Sequence, residues 1–222
     1  HNTSIDRDFK LPLKLYYRSK IMSVANYYCA CGKEAGEFLF PNKEFTFIPN
    51  ASEPDKFLFN KEVRNKKRSE LGVNDQLVVG HVGRLSYQKN HKFLIDIFNE
   101  IQKVESRAIL ILIGEGELRS EVEEYVDKKN LIEKVRFLGA VSNVEEWLQA
   151  MDVMILPSLY EGLPFVLVES QAASLPAIVS DTITDEVKIS EYVQYESLES
   201  EEAKWAKKAI ALSNFERKTN YE

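Results

Sequence analysis

Two carboxylates stand eight positions apart in Glu161-Gly-Leu-Pro-Phe-Val-Leu-Val-Glu169, just after the apolar run Val153 to Leu156. Beside a phosphate they would repel it. Their natural partners are hydroxyl groups, whose donated hydrogen bonds strengthen when the acceptor is charged, and a sugar and a ribose supply such hydroxyls. Pro164 falls where a helix opens, so the backbone N–H groups of Leu163 and Phe165 can face an anion at the positive end of the helix dipole. The plain alternative is a helix-capping Glu161 and a solvated Glu169.

A second group lies in His81-Val-Gly-Arg-Leu-Ser-Tyr-Gln-Lys-Asn90. Gly83 permits a tight turn or a close backbone approach, while Arg84 offers a bidentate fork and Lys89 a point charge to a diphosphate without any metal. Read plainly, Arg84 and Lys89 are surface charges and His81 is a strand-end side chain. A third glycine-bearing turn, Ile113-Gly-Glu-Gly-Glu117, lacks the later glycine of a dinucleotide fingerprint, which argues against a nicotinamide site. A Walker loop, a serine nucleophile elbow and a zinc-binding H-E-x-x-H helix are also absent from the sequence.

These three groups need strand-to-helix loops to carry them, and the hydropathy pattern supplies such loops. Strands are expected over Tyr27 to Cys31, Phe45 to Ile48, Gln76 to Gly83, Arg107 to Ile113, Val135 to Leu138, Val153 to Leu156 and Ala177 to Ser180. Helices are expected over Lys33 to Phe40, Lys61 to Leu71, Asn90 to Lys103, Glu117 to Lys128, Val144 to Ala150 and Phe165 to Ala173. Repeated strand-helix units imply an α/β fold, a Rossmann-like, doubly wound parallel sheet, whose ligands bind where loops leave the carboxyl ends of the strands. The pattern breaks at Pro49-Asn50 and Glu53-Pro54-Asp55, which is turn and linker chemistry, so a domain boundary is placed there. Residues 1–50 then hold two expected strands, too few for a sheet with its own core, and read as the remnant of a larger domain; residues 51–222 form the second domain.

Composition narrows the class of function. Lys+Arg number 29 against Asp+Glu 35, a net charge of -6 with no long basic stripe, which argues against nucleic acid as a partner. The local cluster Lys61, Arg64, Lys66, Lys67 and Arg68 is interrupted by Glu62 and precedes Leu71-Gly72, so it is expected to be a solvated helix face ending at a glycine. Cys29 and Cys31 are the only cysteines; they make neither a zinc set nor a disulfide framework, and two reduced thiols in a cytoplasm is the expectation. No apolar run approaches the roughly 20 residues that span a bilayer. Phe9 to Met22, with Lys10, Lys14, Arg18 and Lys20 among leucines and tyrosines, reads either as a basic amphipathic helix in peripheral contact with a membrane surface or as a segment packed on a neighbouring domain.

Gly83-Arg84 with Lys89, Gly114-Glu-Gly116, and Glu161-Gly-Leu-Pro-Phe with Glu169 together resemble glycosyltransferase family 4. The likeness through Gly80-His-Val-Gly-Arg84, Gln88-Lys-Asn-His91 and Val179 to Glu186 is to bacterial capsular and exopolysaccharide enzymes. The resemblance implies a GT-B architecture of two Rossmann-like domains, here the C-terminal, nucleotide-sugar-binding one with an incomplete N-terminal partner. It implies transfer of a sugar from a nucleotide-sugar donor, expected to be uridine-linked, to a saccharide or lipid-linked saccharide acceptor, with retention and with no metal or other cofactor. Such an enzyme works in the cytoplasm, at the inner face of the membrane.

By the same resemblance Arg84 and Lys89 grip the donor diphosphate, Glu161 holds donor-sugar hydroxyls, Glu169 holds the ribose, and Gly83, Gly114, Gly116 and Gly162, Leu163, Pro164 and Phe165 line the donor site. Val135 to Gly139 is where the nucleobase would lie, and His1 resembles a histidine that the family places near donor sugar and acceptor. Most of the acceptor-side domain, which would pack on residues 1–50, is then missing from this chain. Ser174 stands where the family commonly has glycine, and Trp205 to Glu222 resembles the helix leading back toward the first domain. Two other readings remain: a nucleotide-sugar epimerase of the same architecture, and a module that binds a nucleotide sugar without turnover.

Overall fold

A computed structural model describes residues 11–30, 33–48 and 54–217. In chain order the elements are α1 (Leu11–Val24), β1 (Cys29–Ala30), α2 (Lys33–Leu39), β2 (Thr46–Phe47), α3 (Lys61–Glu70), β3 (Val78–Val82), α4 (His91–Val104), β4 (Ile109–Ile113), α5 (Arg119–Lys128), β5 (Val135–Gly139), α6 (Val144–Ala150), β6 (Val153–Leu156), α7 (Phe165–Ala172), β7 (Ala177–Ser180), β8 (Val193–Glu196) and α8 (Glu202–Ser213). The short strands β1 and β2 pair in parallel in a sheet of their own. The other six form one sheet in the order β5-β4-β3-β6-β7-β8, with every neighbouring pair parallel.

Why these residues make a doubly wound sheet is visible in β4, which reads Ile-Leu-Ile-Leu-Ile and is buried throughout. A strand covered on both faces needs apolar side chains at every position, not at alternate ones. Leu110 and Leu112 share one buried cluster with α4, α5 and α8 through Phe98, Ile101, Val122 and Trp205, while Ile109, Ile111 and Ile113 share the other with Leu148, Met151 and Leu167. β8, which the strand pattern of the sequence did not mark, extends the sheet past β7 because Val193 and Tyr195 pack into that second layer.

One sequence expectation is corrected. The cationic face of α3 is not wholly solvated: Lys67 and Arg68 are buried, and Arg64 and Arg68 donate to the carbonyl groups of Gln149, Ala150 and Met151 and both bind Asp152. The carbonyl groups that end α6 have no partners within their own helix, and side-chain cations satisfy them. Arg217 does the same from the far end of the chain, donating to Leu148, Gln149, Met151 and Ala173 carbonyl groups. In α1, Leu15, Tyr16, Tyr17 and Ile21 are exposed alongside Lys20. His1, Phe9, Cys31, Pro49 to Glu53 and Tyr221-Glu222 lie outside the described residues.

Strand order reverses between β3 and β6: the chain steps outward through β4 and β5, then returns to the other side of β3. β3 and β6 share only the register pairs Val79↔Val153 and Gly80↔Met154, whereas β3 and β4 share five. Past that point the His81 imidazole Nδ1–H donates to the Ile155 carbonyl at 2.8 Å, and the His91 ring stacks edge-on against His81 at 4.7 Å. Burial, followed by the neighbouring imidazole and the Lys89 ammonium, pushes His81 well below the ordinary histidine range. Burial and then Lys89 bring His91 down to about 4. Both rings are therefore neutral at pH 7; His81 Nε2 lacks a hydrogen-bond partner among the described residues, and His91 has only a weak backbone contact at Ser86.

Two pH windows follow. Both imidazoles bind protons more readily unfolded than folded, so stability is fully present above pH 6.5 and is lost as pH falls toward the folded value, about 4 for His91. Replacing His91 by Leu, which removes a buried imidazole whose one backbone contact, at Ser86, is weak, leaves stability at pH 7 unchanged or raised and flattens this dependence in urea titrations at pH 7 and pH 5. Glu196 opens a lower window. Burial alone would raise its carboxyl, but Lys204, Lys208, Ser200 and the Ser197 N–H hold it at about 2, so its contribution is complete above pH 4.5 and is lost as pH falls to about 2. Glu196→Gln is expected to lower the urea midpoint at pH 7 and to remove much of the loss between pH 4.5 and 3.

Candidate functional site

Loops at the carboxyl ends of β3 and β6 flank the strand-order reversal, where an open parallel sheet leaves a crevice for ligands. One loop carries Gly83 to Asn90; the other carries Pro157 to Pro164. Tyr87–Lys89 is a single 3-10 turn closed by Asn90, which takes a left-handed conformation with φ 54° and opens α4. An asparagine tolerates that conformation better than most residues. The turn aims Gln88 and Lys89 across the reversal at the second loop.

Lys89 Nζ lies 2.5 Å from Glu161 Oε1, with side-chain exposures of 13% and 7%. Gln88 Nε2 donates to the other oxygen, Glu161 Oε2, at 2.9 Å and to the Tyr160 carbonyl at 2.8 Å, and the Gln88 carbonyl accepts from the Leu159 N–H at 2.8 Å. The stem of Lys89 crosses over Gly83, where an added Cβ would sit 2.8 Å from Lys89 Cε. Lys89 uses one of its three N–H donors on Glu161, and the others remain to bind an anion.

Arg84 is 73% exposed and donates through Nε to Glu117 Oε2 at 3.0 Å. A surface pair of this kind holds the side chain weakly, so the guanidinium can swing toward a ligand. The glycine turn supports the same loop. Gly83 N–H donates to the Ile113 carbonyl and Leu85 N–H to the Glu115 carbonyl, so the two loops run backbone against backbone. A Cβ on Gly114, whose φ is +135°, would lie 2.1 Å from the Gly83 carbonyl oxygen, and one on Gly116 would lie 2.2 Å from that of Leu85. Backbone contact with the Gly83–Leu85 segment is thus what requires glycine at both positions.

On the other side, Pro164 precedes the first residue of α7, and the backbone N–H groups of Gly162 and Leu163 have no protein acceptor among the described residues. Phe165 opens the helix as expected. Glu169 lies on α7, half-buried, and its carboxylate has no hydrogen bond or ion pair among the described residues; burial, and then the charge of Glu145, raise that carboxyl above the usual range. A half-buried carboxylate with free acceptor capacity suits a hydroxyl donor.

Lys89 and Glu161 are therefore brought together from positions 72 residues apart, Arg84 stands on the loop of Lys89 with its side chain on Glu117, Gly83 lies under Lys89, and Gly114 and Gly116 back the Gly83–Leu85 segment, while His1 is outside the described residues. Sequence reasoning missed the parts played by Gln88, Glu117 and His91. Gln88 stands next to Lys89 in the turn, and that adjacency was the available signal. A cavity of about 600 Å³ lined by Arg64, Arg68, Asp152, Asn74 and Asn214 lies at the opposite, amino-terminal end of the strands, where the arginines are already engaged by carbonyl groups and Asp152. Among the described residues no group of three or more His, Cys, Asp or Glu is placed to hold a metal ion, and no helix is long and apolar enough to cross a membrane.

The profile of the family described as "Glycosyl transferases group 1" matches residues 63–212. The chain is 39% identical over 197 residues to "Putative glycosyltransferase EpsF" of Bacillus subtilis, covering 84% of this chain and 51% of that protein. It is 31% identical over 142 residues to the UDP-Gal:alpha-D-GlcNAc-diphosphoundecaprenol alpha-1,3-galactosyltransferase of Escherichia coli, covering 62% of this chain and 37% of that protein. Among solved structures, Anabaena HepE in complex with UDP and glucose superposes with a TM-score of 0.78 at 19% identity, over 90% of this chain and 57% of that one. The chain spans about half the length of the first of these curated relatives. The family match takes in β3 through α8 and both loops of the crevice, and the chain belongs to the group 1 glycosyl transferases.

Proposed function

We propose that this chain is the donor-binding part of an enzyme that transfers a sugar from a UDP-sugar to a lipid-linked saccharide, with retention of configuration and without a metal ion, in the assembly of a capsular or extracellular polysaccharide. The reading rests on one observation above all: a nearly buried Lys89–Glu161 pair at the strand-order reversal, with Arg84 on the same loop as Lys89. A phosphate-binding cation and a hydroxyl-binding carboxylate sit side by side there. That is the spacing of charge within a sugar diphosphate, whose anionic bridge adjoins its hydroxylated ring.

Lys89 turns its two remaining N–H donors to the diphosphate and Arg84 leaves Glu117 to join it, so the negative charge that develops on the departing nucleoside diphosphate meets fixed cations. The acceptor hydroxyl oxygen bonds to the anomeric carbon as the bond from that carbon to the phosphate oxygen breaks. The proton of the acceptor passes to the departing phosphate oxygen on the same face. Glu161 holds the sugar hydroxyls so that this face is presented, and Glu169 takes the ribose. HepE, crystallised with UDP and glucose, and the E. coli relative, named for UDP-Gal and a diphosphoundecaprenol-linked acceptor, support the uridine donor and the lipid-linked acceptor. The enzyme would work in the cytoplasm, at the inner membrane face.

In the full-length protein, Glu161→Ala is expected to lower sugar transfer from a UDP-sugar by on the order of 10²–10³. Calorimetry of the same variant should still show UDP binding, because Glu161 faces the sugar and not the nucleotide. Turnover close to that of the unaltered enzyme would overturn the role given to Glu161, and tighter binding of guanosine diphosphate than of UDP would overturn the choice of base.

A further inference from the structure

The carboxylate of Glu161 is held at both oxygens by consecutive residues of one turn, Oε1 by Lys89 at 2.5 Å and Oε2 by Gln88 at 2.9 Å. We infer that Gln88 is a positioning residue for the transfer, fixing the rotation of the Glu161 carboxylate that Lys89 alone would leave free.

An ammonium bound to one carboxylate oxygen restrains distance but not the plane of the group. The second hydrogen bond, to the other oxygen, sets that plane. Gln88 Nε2 spends its remaining N–H on the Tyr160 carbonyl at 2.8 Å, one residue before Glu161, and the Gln88 carbonyl accepts from the Leu159 N–H. Backbone and side chain of Gln88 thus hold both the loop and the carboxylate it carries. A neutral amide suits this place. It donates to Glu161 without adding charge, so the lysine remains the cation of the pair and keeps donors for a diphosphate. Gln88 touches neither sugar nor phosphate in this arrangement; it acts through Glu161.

The inference rests on the role proposed for Glu161, and the experiment separates the two. In the full-length protein, hydrolysis and transfer are followed with UDP-glucose, UDP-galactose and UDP-N-acetylglucosamine as donors, and UDP binding is followed by calorimetry. Gln88→Ala is expected to lower kcat roughly 10- to 100-fold, while the donor KM and the Kd for UDP stay within about threefold, since orientation matters more in the transition state than in binding. Gln88→Glu keeps the shape but replaces the donor by a second carboxylate, and should lose at least as much; Gln88→Lys restores a donor and should recover part of the rate. In a Glu161→Gln background the further loss from Gln88→Ala should shrink to less than about threefold. Intact UDP binding shows that the variants are folded. Wild-type kcat for Gln88→Ala, with Glu161→Ala inactive, overturns the positioning role and leaves the transferase reading standing; full additivity of Gln88→Ala with Glu161→Gln overturns it as well. Wild-type rates for both single alanine variants overturn the transferase role of Glu161, and this inference with it.

Discussion

Reversal of strand order between β3 and β6 is the constraint from which the site descends. Four of the six strands leave that seam in two directions, and the loops at its carboxyl end must part because their helices lie on opposite faces of the sheet. Backbone pairing across the seam stops after Gly80 and Met154, and an imidazole makes the next link, from His81 to Ile155. Above it the connection is one backbone hydrogen bond, from the Leu159 N–H to the Gln88 carbonyl, together with side chains: Gln88 and Lys89 from one loop, Glu161 from the other. Past the ladder, most of what joins the two loops is side-chain chemistry, and side chains keep donors and acceptors to offer a ligand.

Seen this way, the two cations of the crevice are not equivalent. Lys89 is anchored by a carboxylate that is itself nearly buried, whereas Arg84 pairs with Glu117 where both are open to water. The first pair is costly to break, since separating it leaves a charge without a partner in a shielded place. The second exchanges with solvent at little cost. Lys89 is accordingly the fixed element and Arg84 the adaptable one. The neutral imidazoles beneath Lys89 fit the same picture: two protonated rings there would place three positive charges together, and burial combined with the lysine keeps them uncharged.

How much of this was legible in the sequence depended on range. Strands such as Ile109–Ile113 and Val153–Leu156 announce themselves because a sheet covered on both faces demands unbroken apolar runs, and local pattern is all that is needed. The charges of α3 were misread for the opposite reason: Arg64 and Arg68 turn inward to carbonyl groups more than 80 residues away, which no local window reveals. Arg84, Lys89, Glu161 and Glu169 were legible as candidates because their residue types and the strand-to-helix junctions around them limit what they can do. Gln88 was not, although it stands beside Lys89, because a glutamine in a polar turn has no distinctive chemistry until its partner is known.

That difference bears on how such a site tolerates change. Groups that meet a ligand are restricted by the ligand's chemistry, so their types can be argued from sequence. Groups that only orient them are restricted by geometry: Gln88 must reach Glu161 Oε2 and the Tyr160 carbonyl at once, across a separation of 72 to 73 residues. Gly114 and Gly116 obey a geometric rule as well, since carbonyl oxygens about 2 Å from where a Cβ would sit exclude every other residue type there. The electrostatic character of the crevice is written in four side chains. Its accuracy resides in the turn at Tyr87–Lys89, whose left-handed closure at Asn90 places an amide and an ammonium on the two oxygens of one carboxylate.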